Sequence, residues 1–193
     1  MKLYGSTTSP YVRRLRILLA DVPHEFINVN IFGAEDRSEI KKVNPVMKVP
    51  MLEDMSNSEC PFIYDSGNIA QYILQKTGQE SLTLAQLNDL SVINAANDSL
   101  VNLMLLTRSG FDTSEDKLYF NLQKERLDLS FKLLEQQVAE GRYNQWNYVA
   151  ISLLVMIEWA QFRELYDFSQ FPHLMRFIKT NQSQTAVTET SPT

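Results

Sequence analysis

The sequence has few of the residues that metal centres and disulfide frameworks require. Of its 193 residues, one is cysteine (Cys60) and two are histidine (His24 and His173). A single cysteine excludes an intramolecular disulfide and a cysteine-cluster metal site. Two histidines so far apart in sequence are a poor start for a histidine-based site. We therefore expect a protein without a bound metal, and we interpret Cys60 as an incidental, partly buried residue.

Long apolar runs and an excess of positive charge are also lacking. The longest apolar helical run, Val149 to Ile157, is interrupted by Ser152 and followed by Glu158. It is far shorter than the roughly 20 residues that a membrane span needs. The formal net charge of −5 argues against nucleic-acid binding, which usually requires a basic face. With no signal-peptide pattern visible, we expect a cytoplasmic protein that binds neither nucleic acid nor membrane.

The sequence does show a change of periodicity before its middle. Residues 1–78 alternate short β-type runs with amphipathic helical runs in the order β-α-β-α-β-β-α. A strand, a helix and a parallel strand form a right-handed crossover unit. The pattern predicts a thioredoxin-like N-terminal domain with a four-stranded mixed sheet, an α/β architecture. Gly78 follows the last helix as a stop signal, and residues 79–85 are expected to form a linker.

The strand signals vanish after this linker. Residues 86–185 show long helical patterns, so they are predicted to form an all-helical C-terminal domain. One of these helices, preceded by Asn147 as its predicted cap, is apolar nearly all round, as expected of a helix inside a bundle. Residues 186–193 are polar enough to predict a disordered tail.

The stretch SPYVRRLRILL begins with a strong helix-start signal. Ser9 suits the N-cap position and Pro10 the first helical position, where a missing N–H has no cost. The arginines that follow, Arg13, Arg14 and Arg16, are interpreted as a solvated helix face. Capping alone would explain Ser9, and the local sequence does not show whether Ser9 also takes part in chemistry.

Three motifs and the helical second half resemble the cytosolic glutathione S-transferases in order and spacing, over nearly the whole chain. The motifs are SPYVRRLRILLA, NPVMKVPML and YDSGNIAQYI. Families with glutaredoxin-like chemistry carry cysteine where this chain has serine, and serine cannot form a mixed disulfide. The resemblance therefore implies a serine-type, tau-, zeta- or theta-like bacterial member that binds glutathione and forms a homodimer.

The resemblance also implies which residues bind glutathione. In the family the Val49–Pro50 bond is cis, and the main chain of Val49 pairs with the cysteinyl part of the ligand. Lys48 would meet the glycine carboxylate. Asp65 would attract the γ-glutamyl ammonium, and Ser66, as N-cap of the next helix, the γ-glutamyl carboxylate. A plain strand start with an exposed lysine, and a simple Asp-Ser cap, are the alternative interpretations.

Ser9 is the predicted catalytic residue, because the thioredoxin-like fold places its reactive group where the first strand meets the first helix. By resemblance, its hydroxyl would donate a hydrogen bond to the thiolate of glutathione and favour the charged form. Thr8 is the nearest rival. Tyr4 falls within the first strand and is interpreted as a core residue.

The co-substrate is predicted only in class. By resemblance, Met104, Leu105 and Arg108 would contribute to a pocket for a small, electrophilic and hydrophobic acceptor, although simple helix packing explains them as well. The implied function is conjugation of glutathione for detoxification. Two alternatives stay open: a glutathione-dependent isomerase, peroxidase or dehalogenase, and a non-catalytic ligand-binding or stress-regulatory protein.

Overall fold

The structure, a computed structural model, describes residues 1–192 of the chain. These residues form two compact units. The first contains Met1–Leu82 together with the C-terminal segment that starts at Gln184, and the second contains Thr83–Ser183. Within the described residues, no helix has both the length and the apolar character needed to cross a bilayer.

The first unit is a four-stranded mixed sheet with helices packed on it. Its elements are β1 (Lys2–Gly5), α1 (Pro10–Leu18), β2 (Glu25–Asn28), α2 (Ala34–Val43), β3 (Met51–Glu53), β4 (Phe62–Tyr64), α3 (Ser66–Lys76) and, at the C-terminus, α8 (Thr185–Glu189). The strands are ordered β2-β1-β3-β4. β1 pairs parallel with β2 and antiparallel with β3, and β3 pairs antiparallel with β4. The predicted thioredoxin-like arrangement is confirmed.

The close packing of β1 against α1 explains the glycine at the end of the first strand. A Cβ atom at Gly5 would lie 2.4 Å from Val12 Cγ2, which is closer than two carbon atoms can approach. Val12 and Leu15 on α1 are fully buried, as is Leu3 on β1. The apolar stripe of α1 therefore packs this helix onto the sheet, and its N-terminus follows the C-terminal end of the inner strand β1.

The second unit is all-helical, as predicted. It consists of α4 (Leu84–Arg108), α5 (Leu118–Ala139), α6 (Tyr148–Phe162) and α7 (Pro172–Asn181). Nearly every side chain of α6 is buried, which is why its sequence is apolar all round. Asn147 caps α6 as predicted, because its Oδ1 accepts the N–H groups of Val149 at 2.9 Å and of Ala150 at 3.2 Å.

Helix α4 begins inside the segment that was predicted to be a linker. Thr83 is its N-cap, and Thr83 and Gln86 form a reciprocal capping box: Gln86 N–H donates to Thr83 Oγ1, and Thr83 N–H donates to Gln86 Oε1. The boundary between the two units falls between Leu82 and Thr83. A capping box satisfies two N–H groups at the helix start, so the helix extends to the unit boundary.

The interpretation of the α1 arginines as a solvated face is wrong. Arg13 and Arg14 are each 2% exposed. The Arg13 guanidinium donates from Nη2 to the carbonyl of Val187 at 3.1 Å and from Nε to Thr190 Oγ1 at 3.4 Å. The Arg14 guanidinium lies over the ring of Tyr11, 4.8 Å from the ring centre.

The same contacts overturn the prediction of a disordered tail from residue 186, for the part that the structure describes. Helix α8 packs on α1, and the side chain of Val187 is 1% exposed. A five-residue helix has little stability of its own, so tertiary contacts stabilise this one. Residue 193, also part of the predicted tail, lies outside the described residues.

We expect the Arg13→Met substitution to lower the free energy of unfolding by about 1.5–3 kcal/mol, the usual contribution of hydrogen bonds from a charged group. The reason is that the Val187 carbonyl and the Thr190 hydroxyl would lose a buried donor. Urea denaturation measures the effect. Arg37→Met, at an exposed position of α2, is the matched control and should change stability by less than about 0.5 kcal/mol. Equal stability of the two variants would contradict this account of α8.

Candidate functional site

The register of the sheet brings three turns of the chain together at one end of the strands, and this end of the sheet is called its edge below. Tyr4 pairs with Met51, and Met51 pairs with Tyr64, so these residues form one row across β1, β3 and β4. β1 leads from this row towards Ser9, and β4 leads directly to Asp65. The chain reaches the same row through Pro50. Parts of all three predicted motifs therefore meet at one edge.

Ser9 occupies the N-cap of α1 and has a hydroxyl hydrogen to donate. Its Oγ accepts the N–H of Val12 at 3.4 Å, and its backbone is extended, as the N-cap position requires. Within residues 1–192, the Ser9 hydroxyl makes no hydrogen bond as a donor. A half-buried O–H beside a helix N-terminus is suited to stabilise an anion.

The two rival hydroxyl groups are engaged elsewhere. Thr8 Oγ1 lies 3.0 Å from Ser6 Oγ, in hydrogen-bond contact. The hydroxyl of Tyr4 donates to Glu53 Oε2 at 2.6 Å. Burial, followed by the hydrogen bond and charge of Glu53, raises the pKa of Tyr4 to about 12. Tyr4 packs against the buried cluster that includes Met51, in agreement with its interpretation as a core residue.

The segment before β3 has unpaired main-chain groups next to a cis peptide bond. Val49–Pro50 is cis, as the resemblance implied. Pro50 is buried, Val49 is half-buried, and the side chain of Lys48 is exposed. No hydrogen bond of the described residues uses the main-chain N–H or C=O of Val49. Val49 therefore has one donor and one acceptor available to an extended peptide, as an edge strand has.

The start of α3 differs from the prediction by one residue. The N-cap is Asp65, whereas Ser66 is the first helical residue and is buried. Asp65 Oδ1 accepts the N–H groups of Gly67 at 2.7 Å and of Asn68 at 3.4 Å. The backbone of Asp65 has φ 71° and ψ 135°, a positive-φ conformation that residues other than glycine rarely adopt. The exposed Asp65 carboxylate thus lies beside the positive end of a helix.

The sequence analysis did not identify one residue that stabilises the segment before Val49. Asn44, at the C-terminal end of α2, is fully buried. Its side-chain amide donates to the carbonyl of Lys48 at 2.8 Å, and its Oδ1 accepts the N–H of Val46 at 3.0 Å. In addition, the Tyr64 hydroxyl donates to the carbonyl of Val43 at 2.6 Å. The asparagine in NPVMKVP was the available signal, since asparagine often bonds the backbone two residues on.

For the other residues singled out in the sequence, the interpretation is either untested or wrong. Met104 and Leu105 are half-buried and Arg108 is exposed, all on α4 in the second unit. Their role in an acceptor pocket stays a prediction. Cys60 is exposed, so the interpretation of this residue as partly buried is wrong. Its Sγ donates to the carbonyl of Phe62 at 3.5 Å. In the described part of the chain, no three His, Cys, Asp or Glu side chains cluster as metal ligands.

Sequence comparisons with known proteins point to the same family that the three motifs resemble. The sequence model described as "Glutathione S-transferase, N-terminal domain" matches residues 3–81. The uncharacterized GST-like protein YibF of Escherichia coli K12 is 31% identical over 206 aligned positions, which cover 100% of this chain and 98% of YibF.

Solved structures share the fold over the full length. A glutathione S-transferase from Methylobacillus flagellatus KT, with glutathione bound, has a TM-score of 0.85 at 19% identity, covering 100% of this chain and 99% of that one. A second one, from Methylobacterium radiotolerans in complex with glutathione sulfonate, has a TM-score of 0.81 at 18% identity, covering 99% and 94%. With the sequence matches, the fold and the three motifs in agreement, this chain belongs to the glutathione S-transferase family.

Proposed function

We propose that this protein is a glutathione transferase, which binds glutathione, stabilises its thiolate and conjugates it to a small electrophilic, hydrophobic molecule. The observation that carries the proposal is the hydroxyl of Ser9. It lies at the N-terminus of α1 without a hydrogen-bond acceptor among residues 1–192. The same edge of the sheet carries the unpaired main chain of Val49 and the carboxylate of Asp65.

Each part of the tripeptide has a chemical counterpart at this edge. The γ-glutamyl group carries an ammonium and a carboxylate on one carbon. We assign the ammonium to Asp65 and the carboxylate to the N-terminus of α3 at Ser66. The cysteinyl part would pair with the main chain of Val49, beside Pro50. The glycine carboxylate would meet the exposed ammonium of Lys48.

The proposed chemistry needs a thiolate, because the thiolate and not the thiol is the nucleophile. The thiol of bound glutathione releases its proton to solvent, and Ser9 donates its own O–H to the sulfur without giving up the proton. The helix dipole of α1 favours the same negative charge. The sulfur lone pair then forms a C–S bond to the electrophilic carbon, and the bond to the leaving group breaks with its electron pair. Ser9 acts here as an electrostatic stabiliser.

Solved relatives of the same fold support the ligand class. A glutathione transferase family member from Pseudomonas fluorescens Pf-5 has been solved with glutathione and also with S-(propanoic acid)-glutathione, a molecule in which the sulfur already carries a carbon substituent. We include in the proposal that Met104, Leu105 and Arg108 contribute to acceptor binding. We also include a homodimeric assembly, a cytoplasmic location and a role in detoxification.

Calorimetric titration with glutathione, followed by a conjugation assay with a chloronitroaromatic acceptor, tests the proposal. We expect saturable binding by the wild-type protein, and chloride release with thioether formation above the uncatalysed rate. The glutathione analogue with a methyl group in place of the thiol is the control, since it should bind without reacting. Absence of binding would contradict the proposal. Binding without turnover would contradict the enzymatic part and favour a non-catalytic glutathione-binding protein.

A further inference from the structure

We infer that Asn44 is a positioning residue for the glutathione site, because it sets the direction of the main-chain N–H of Val49. This inference rests on the proposed function. Asn44 is buried beneath the segment 45–48, and no atom of its side chain is accessible to a ligand: its exposed fraction is 0%. It must therefore act through the groups that it binds.

Asn44 forms hydrogen bonds with several residues of the segment between α2 and Val49 and so holds the shape of this loop. Its Nδ2 donates to the carbonyl of Lys48 at 2.8 Å, and its Oδ1 accepts the N–H of Val46 at 3.0 Å. Its main chain contributes two further bonds: its N–H donates to the carbonyl of Ile40, and its C=O accepts the N–H of Met47. The φ angle of Met47 is 55°, an uncommon conformation that persists where surrounding contacts determine it.

The bond to Lys48 has a direct geometric consequence for Val49. The carbonyl of Lys48 and the N–H of Val49 belong to the same planar peptide group. Within the described residues the cis bond is Val49–Pro50, so the Lys48–Val49 peptide is trans, and its C=O and N–H point in opposite directions. Because the carbonyl points inward to the buried Asn44 amide, the N–H of Val49 points away from it. That N–H is the donor proposed to pair with the cysteinyl carbonyl of glutathione.

The Asn44→Asp substitution removes the donor of this bond and keeps the shape of the side chain. One carboxylate oxygen can still accept the N–H of Val46. The other carboxylate oxygen takes the place of the amide nitrogen. It then faces the Lys48 carbonyl oxygen, and the two oxygens repel each other. We expect the Lys48–Val49 peptide to rotate and glutathione to bind about tenfold more weakly, as the loss of one main-chain hydrogen bond implies.

Two further variants separate positioning from general destabilisation. Asn147→Ala removes the cap of α6 in the second unit; it should lower the denaturation midpoint and leave the Kd for glutathione unchanged. Asn44→Ser introduces no charge into the buried position. Its hydroxyl can still accept from Val46 but is too short to reach the Lys48 carbonyl, so it should also weaken binding. It provides the test if the aspartate variant does not fold.

A modified ligand identifies the group that Asn44 controls. In this ligand an (E)-alkene replaces the amide between cysteine and glycine, so the cysteinyl carbonyl that would accept from Val49 N–H is absent. We expect the replacement to weaken binding to the wild-type protein by about tenfold. For Asn44→Asp the same replacement should have less than about a twofold effect, since the hydrogen bond is already lost. Such non-additivity is the signature of a shared interaction.

Calorimetric titration of these proteins with glutathione and with the alkene analogue tests the positioning role of Asn44. Weaker binding of glutathione by both Asn44 variants, together with the non-additive ligand effect, supports the positioning role. Wild-type affinity in a folded Asn44 variant, or the full tenfold ligand effect in Asn44→Asp, overturns it and leaves the proposed function intact. Absence of glutathione binding by the wild-type protein overturns both, so the two failures are distinguishable.

Discussion

Replacing Ser9 with alanine should lower kcat/KM for conjugation by about 100-fold, the usual effect of removing one hydrogen-bond donor to a developing or stabilised anion. The Kd for glutathione should change by less than about threefold, because the proposed binding contacts lie at Lys48, Val49 and Asp65. Stability should fall by about 1 kcal/mol, since Ser9 Oγ also caps α1 by accepting the N–H of Val12. Steady-state kinetics with saturating glutathione measure the main effect.

Two neighbouring substitutions control for this result. Ser9→Thr keeps both a hydroxyl donor and a capping oxygen, so it should retain most of the activity. Thr8→Val removes the hydroxyl that lies 3.0 Å from Ser6 Oγ, and it should leave kcat/KM near the wild-type value. The opposite pattern, with activity kept in Ser9→Ala and lost in Thr8→Val, would transfer the catalytic role to Thr8.

Replacing Asp65 with asparagine should weaken glutathione binding by about 30-fold, with little loss of stability. Asparagine is an equally good N-cap, and its side-chain oxygen can accept the N–H groups of Gly67 and Asn68 as Asp65 Oδ1 does. Asparagine has the same size and branching as aspartate, so the positive φ angle of 71° at this position is no less accessible to it. The substitution therefore removes the negative charge and keeps the local structure, and a hydrogen bond from a charged group contributes about 1.5–3 kcal/mol.

A ligand without the γ-glutamyl amino group shows whether the lost affinity belongs to the ammonium. Wild type and Asp65→Asn should bind this des-amino analogue equally well, because neither can form the ion pair with it. Asp65→Ala provides the contrast: it should lose both affinity and stability, since alanine has no side-chain oxygen to cap α3. If Asp65→Asn bound glutathione as tightly as wild type does, the assignment of the ammonium to Asp65 would be wrong.

Local patterns predicted the elements that depend on local physics. The change from period 2 to period 3.6 correctly placed the sheet in the first part of the chain. The Ser-Pro pair correctly placed the N-cap of α1 at Ser9. Asn147 was also correctly predicted as the cap of α6. For both caps the decisive hydrogen bond spans three residues or fewer, so the sequence within one helical turn contains the information.

The wrong predictions have two different causes. Arg13 is buried by residues more than 170 positions away, Val187 and Thr190, and no local pattern shows that α8 returns to α1. In YDSGN, by contrast, Asp65 and Ser66 are both good capping residues and are adjacent. Propensity does not separate them, and the structure selects Asp65. The positive φ angle of Asp65 arises where β4 turns into α3, which is a property of the fold.

The apparent pKa of the thiol in bound glutathione tests the central claim most directly. It is measured from the ultraviolet absorbance of the thiolate as a function of pH, in complexes with wild type and with Ser9→Ala. For wild type we predict a pKa clearly below the ordinary thiol value of about 8.5, because the Ser9 hydroxyl and the N-terminus of α1 favour the charged form. In Ser9→Ala the pKa should move back towards that value. An unshifted pKa in the wild-type complex, or equal values in the two complexes, would contradict the account.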